Sequence, residues 1–173
     1  MWPDEHASWR CSPRHAYLQS CEEQRLLPHP RLLQFTDAVL QPVRDTTGAQ
    51  SSFVAPFGFI AEQTFLGDAG LEAAIPLIKS VLARGGERGK QLHLVNVGIT
   101  HNGMRSLGQH VQTWSAAPNS RLSVVDVDLS HNSMINASAQ CCSVCYLQPL
   151  LRATHLRRLV LSGCKYVAAS CFM

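Results

Sequence analysis

The sequence predicts a mixed α/β chain. Repeated strand–helix units form a short coil, with parallel strands along one face, helices along the other, and an α-helical cap in front. Three observations carry this expectation. An apolar series recurs along the chain, and its first residues, Phe59, Leu92, Val127 and Leu159, lie 33, 35 and 32 positions apart. Within the copies apolar residues alternate (Leu92 and Leu94, Val127 and Leu129, Leu159 and Leu161), the period of a strand that buries one face. Behind the first copy, Leu71, Ala74, Leu77, Ile78 and Val81 fall on one helical stripe. One strand and one helix cannot hide their apolar faces alone. Units stacked side by side share a core, and about three are needed for stability.

Composition sets the limits. The chain has 173 residues, enough for one domain with a real core. Its hydrophobic content of 46% is ordinary and its charged content of 16% is low. The net charge of +3 is small and the arginines are scattered, with Arg157-Arg158 the one doublet. That balance gives no reason to expect a nucleic-acid or anionic-membrane partner. The opening MWPDEHASWR carries acids where a signal peptide would be basic and then apolar. No apolar run approaches the roughly 20 residues that span a bilayer, so a cytoplasmic location is expected. Seven cysteines in no regular framework read as reduced thiols.

The elements follow in order. Residues 1–50 read as a helical cap and linker. Ser12-Pro13 supplies an N-cap with proline at the first helical position and opens a helix over 13–27. Pro28 and Pro30 punctuate the chain before a second helix over 31–42, where Leu32, Phe35 and Val39 form a one-sided stripe. The polar stretch DTTGAQSS, residues 45–52, reads as linker, while Trp2 and Trp9 are either loose or docked on the next segment. Residues 51–173 hold three to four repeats, the last incomplete. The full series is Leu92, Leu94, Val97, Ile99, Gly103 and Leu107; its copies run Val127, Leu129, Asn132, Met134 and Leu159, Leu161, Cys164, Tyr166. A looser copy runs Phe59, Ala61, Thr64, Leu66, Gly70, Ala74. A small or polar residue three positions past each strand, such as Asn132 or Cys164, suits a turn where a side chain bonds stacked backbone groups.

HLRRLVLSGC fits the pattern LxxLxLxxN/C, and Val124, Val127, Leu129 and Asn132 fit it with valine substitutions. The chain therefore resembles the leucine-rich-repeat proteins over roughly residues 57–166. Its GDAG and THNG segments, with long helices after them, are similar to the ribonuclease-inhibitor-like class. The resemblance implies a solenoid with strands on a concave face and helices on a convex one. Two departures stand out. The repeats exceed the usual 28 or 29 residues of that class, and Val97 replaces the turn asparagine. RGGERGK and SAAPNSR are where the extra residues are expected. In the cap, YLQSCEEQRLLPHPRLL resembles the leader of some leucine-rich-repeat proteins of cilia and the cytoskeleton, including axonemal dynein-regulatory components.

Strand alternation points one set of side chains away from the core. The outward rows are Gln91, Asp126, Arg158; then His93, Asp128, Val160; then Val95, Ser130, Ser162. Neighbouring strands lie about 4.8 Å apart, so Asp126 is expected to pair with Arg158, and Asp128 with His93. Singly these are solvated strand residues. As a row beside the apolar Ile60 and Val160 they mark a face for a protein partner, through Gln91, His93, Asp126, Asp128, Ser130, Arg158 and Val160.

Catalytic and cofactor chemistry is not expected. Cys142 and Cys145 form a CxxC next to Cys141, but structural zinc needs four ligands and no second pair exists, so these read as core cysteines on one helix face. GGERGK is one residue short of a phosphate loop, lacks the following Ser or Thr, and precedes a strand instead of following one. GTPase activators of a nuclear-transport GTPase share the resembled repeat class, yet they are longer, and no arginine motif matches. The expected function is a non-catalytic scaffold subunit of a larger assembly, cytoskeletal or ciliary, with an enzyme regulator as the alternative. Past Tyr166 the pattern asks for another helix, and VAASCFM is too short to be one. A longer natural chain, a partner on the open edge, or a folded-back cap would each answer that.

Overall fold

In the computed structural model the first helix, α1, is Pro13–Glu23, opened by Ser12, whose hydroxyl accepts a 3.1 Å hydrogen bond from the His15 amide. It stops short of residue 27. Arg25 enters the left-handed region (φ 56°). Leu26 N–H then bonds the Cys21 carbonyl at 2.8 Å and Arg25 N–H the Glu22 carbonyl at 3.0 Å, closing the helix end as a glycine normally does. The Tyr17 hydroxyl accepts from the His29 amide at 2.8 Å and pins the turn. Helix α2, Pro30–Leu40, starts on its proline. Leu32 is buried, and the Phe35 ring meets Phe59 edge-on, centroids 5.2 Å apart.

The structure describes residues 12–40, 58–84, 90–116, 122, 124–132, 144–153 and 155–164. Trp2, Trp9, the 45–52 linker, the glycine-rich 85–89, Met134, Cys141, Cys142, Tyr166 and VAASCFM lie outside them, as do the side chains of Val39 and Cys145.

The rest alternates strand and helix: β1 Gly58–Glu62, α3 Gly67–Arg84, β2 Lys90–Val95, α4 His101–Ala116, β3 Val124–Asp128, α5 Val144–Leu151 and β4 Arg158–Val160. The fold is mixed α/β, built on one four-stranded parallel sheet in the order β1-β2-β3-β4. Its register matches the repeat spacing read from the sequence. Phe59 pairs with Leu92, Leu92 with Val127, and Val127 with Leu159. A bulge between Lys90 and Gln91 absorbs one residue of the longest spacing, with Val125 as the extra residue on β3. Gly58 has a steric reason: a Cβ there would collide with the Gln91 carbonyl of the neighbouring strand.

On β1 to β3 the strand residues on the helix side are covered, whereas Leu159 of β4 is only part-covered. Phe59, Leu92, Leu94, Val127 and Leu129 are each 0% exposed, and they pack with Leu71, Leu77, Ile78, Leu107 and Val111. Each such side chain contributes roughly 1.5–3 kcal/mol of apolar transfer. Helix α1 packs on α3 and α2 reaches β1, so the N-terminal helices cover the first unit. The described residues include no helix long and apolar enough to cross a membrane.

Candidate functional site

Two sets of residues follow from the register: a column in the turns, buried except for the part-covered Cys164, and an open face on the sheet. The column is Thr64, Val97, Asn132 and Cys164. Asn132 is fully buried and saturates its amide. Its Oδ1 accepts from Val97 N–H at 3.0 Å and Gly98 N–H at 3.1 Å. Its Nδ2 donates to the carbonyls of Leu94 at 2.7 Å and Leu129 at 2.8 Å. One side chain thus ties two successive turns. Cys164 acts the same way, its thiol donating to the Leu129 carbonyl at 3.1 Å, and burial pushes that thiol above its usual range. Thr64 bonds only locally, to the Glu62 carbonyl at 2.9 Å. Val97 has no polar side chain to offer the first turn. Its carbonyl does the work instead, accepting from Leu66 N–H at 2.9 Å and Gly67 N–H at 3.1 Å.

On the face turned away from the helices, β1 presents Ile60 and Glu62, β2 Gln91, His93 and Val95, β3 Asp126 and Asp128, and β4 Arg158 and Val160. Gln91, Asp126 and Arg158 form one lateral row, and Ile60, His93, Asp128 and Val160 the next. Arg158 Nη1 donates to Asp126 Oδ2 at 3.1 Å, the pairing expected from the sequence. The arginine side chain is 65% exposed while that of Asp126 is 13% exposed, so the pair sits at the rim of water. Its worth to stability is about 1 kcal/mol or less.

Two expectations need correction. His93 does not pair with Asp128 across the strands. Its Nε2 lies 3.8 Å from Asp126 Oδ1, too long for a hydrogen bond, and leaves Asp126 flanked by a basic group on each neighbouring strand. Asp128 is engaged elsewhere: its Oδ1 accepts from the Ser130 amide at 2.9 Å, closing a local turn as aspartates at strand ends do. Ser130 is not an open contact residue. It is 5% exposed, because the chain has already turned inward there, and its carbonyl takes the Asn96 amide at 2.9 Å. Gln91, His93, Asp126, Asp128 and Val160 are part-covered, and Arg158 and Ile60 stand out most.

Sequence reasoning missed two features. Between successive helices Asp68 Oδ1 accepts from the Thr100 amide at 2.7 Å, and Glu72 takes the Ser106 hydroxyl at 2.5 Å and faces His110 Nε2 at 3.3 Å. The helical spacing of Asp68 and Glu72 was a usable signal; their partners were not. A cleft of about 170 Å³ also lies between the α1–α2 turn and the start of α3, lined by Tyr17, Cys21, Leu27, His29 and Phe65 among others. Leu27 is 95% and Phe65 77% exposed beside it. No local pattern joins residues so far apart in the chain.

Among the described residues no group of three or more His, Cys, Asp or Glu side chains is arranged to hold a metal ion. The geometry available on the sheet face is that of hydrogen bonding and ion pairing with an apposed surface. Compared with known proteins, the chain matches no family model, no curated protein and no solved structure.

Proposed function

We propose that the chain is a short leucine-rich-repeat solenoid acting as a non-catalytic scaffold. It docks a protein partner on the concave face of its sheet, within a larger cytoplasmic assembly of cytoskeletal or ciliary kind. The observation that carries this reading is the lateral row Gln91, Asp126, Arg158, set in register across three strands beside the exposed Ile60. Strand pairing holds these groups at fixed spacing, so little ordering entropy is lost when a partner binds. Arg158 keeps most of its surface open while Asp126 orients it, an arrangement suited to a carboxylate or carbonyl on the partner. The solenoid reading draws support from strand order following chain order and from the constant turn column of Thr64, Val97, Asn132 and Cys164.

Replacing Asp126, Asp128 and Arg158 together by alanine is expected to abolish stoichiometric capture of the partner from native extract, with the circular dichroism spectrum unchanged. Capture that persists at the wild-type level refutes the concave-face assignment. A changed rate in a soluble enzyme, without a stoichiometric complex, would make the chain a regulator instead.

A further inference from the structure

We propose that the outer edge of β4 is a docking site for an extended acidic peptide segment, which joins the sheet as a further strand. Among the described residues no strand lies beyond β4. The Val160 and Ser162 carbonyls point at β3, accepting the Leu129 amide at 2.9 Å and the His131 amide at 2.8 Å. By strand alternation the main-chain N–H groups of Leu159 and Leu161 face the opposite way, toward the open side. Their side chains are only part-covered, whereas their counterparts Leu92, Leu94, Val127 and Leu129 are 0% exposed. An added strand would bond to the outward N–H groups and the Leu159 carbonyl, the Leu161 carbonyl being held by the Cys164 amide at 3.2 Å, and would cover the two leucines.

Charge selects the occupant. From Leu129 to Met173 the sequence holds no Asp or Glu, but it holds Arg152, Arg157, Arg158 and Lys165. Arg152, just past α5, and Arg157, just before β4, are exposed; Arg158 is exposed too, but its guanidinium turns to Asp126 on β3. The acids of the sheet lie on other strands, Glu62 on β1 and Asp126 and Asp128 on β3. Cations on an edge also guard it against joining other edges. The two roles separate by sign: a cationic edge repels a second copy of itself and admits a strand that carries carboxylates. A nucleic acid would meet the charge but not the outward N–H groups, which need the regular carbonyls of a peptide in extended form. This surface differs from the sheet face of the proposed function and shares only Arg158 with it.

The test uses the full chain and a short fluorescein-labelled peptide of alternating Glu and Thr, read by fluorescence anisotropy. Binding is expected, weakened about tenfold or more in the Arg152→Glu, Arg157→Glu double variant, which leaves the Asp126–Arg158 pair intact. The same peptide with alternate backbone amides N-methylated, on the edge that would face β4, is expected not to bind. Failure of the peptide to bind, equal binding of the N-methylated form, or equal binding of single-stranded oligothymidylate would each overturn the proposal. If the double variant does not fold, the N-methylated comparison on the unaltered protein decides. The concave-face variants change three different side chains and are read by partner capture, so the two proposals fail separately.

Discussion

Asn132→Ala is the substitution whose cost is most directly readable from the structure. The side chain is fully buried and its amide holds four short hydrogen bonds, two accepted and two donated. Truncation strands the Val97 N–H inside the protein and the Gly98 N–H in a half-covered position. Of the two carbonyls, Leu129 keeps the Cys164 thiol as a donor. An orphaned buried polar group costs about 1–3 kcal/mol, so the two stranded N–H groups sum to about 2–6 kcal/mol. A domain of this size has only about 5–15 kcal/mol in hand. With a urea slope of about 2 kcal/mol per molar, the midpoint should fall by about 1–3 M. The assay is urea unfolding followed by far-ultraviolet circular dichroism. Asn132→Asp, which keeps the acceptor but loses both donors and adds a charge, should be no better than alanine. A loss below about 1 kcal/mol in both variants would show that the amide does not tie the two turns together.

Other consequences concern the cap. Burial pushes the Tyr17 hydroxyl from its ordinary 10 up to about 12, outweighing the bond from the His29 amide that lowers it. The folded pKa is raised, so this contribution is fully present below the unfolded value and is lost as pH climbs from 10 to about 12. The loss should approach about 2 kcal/mol, read as the difference in urea midpoint between the wild type and Tyr17→Phe across that window; parallel profiles would contradict it. Arg25→Gly relieves a left-handed backbone at the end of α1 and should raise stability by about 0.5–1 kcal/mol in thermal melts. A decrease would show that the arginine side chain holds the turn.

Much of the fold was legible because its signals are local and repeated. Leu92 and Leu94, Val127 and Leu129 announce strands by alternation. The equal positions of Phe59, Leu92, Val127 and Leu159 in their copies announce which residues will pair. The role of Asn132 was legible as well, since a buried polar residue at a turn must bond to nearby backbone. The end of α1 was not. Arginine at a left-handed position carries none of the glycine signal that marks such a stop, so 13–27 shrank to Pro13–Glu23. The bulge between Lys90 and Gln91 was also hidden, because pattern spacing counts residues without saying where a strand swells.

For the sheet face, spacing in the chain sufficed to name the rows and the Asp126–Arg158 pair, since strand register alone brings those Cα positions side by side. It did not suffice to say where a side chain leans once several partners compete. His93 approaches Asp126, Asp128 folds onto the Ser130 amide, and Ser130 turns inward. Those choices depend on rotamers, on the bend of the chain past β3 and on which carboxylate is already engaged. The meeting of Leu27 with Phe65 at one cleft is of the same kind. Periodicity travels along the backbone and is written in order; contacts across space depend on how the units settle against one another, and only the assembled fold decides them.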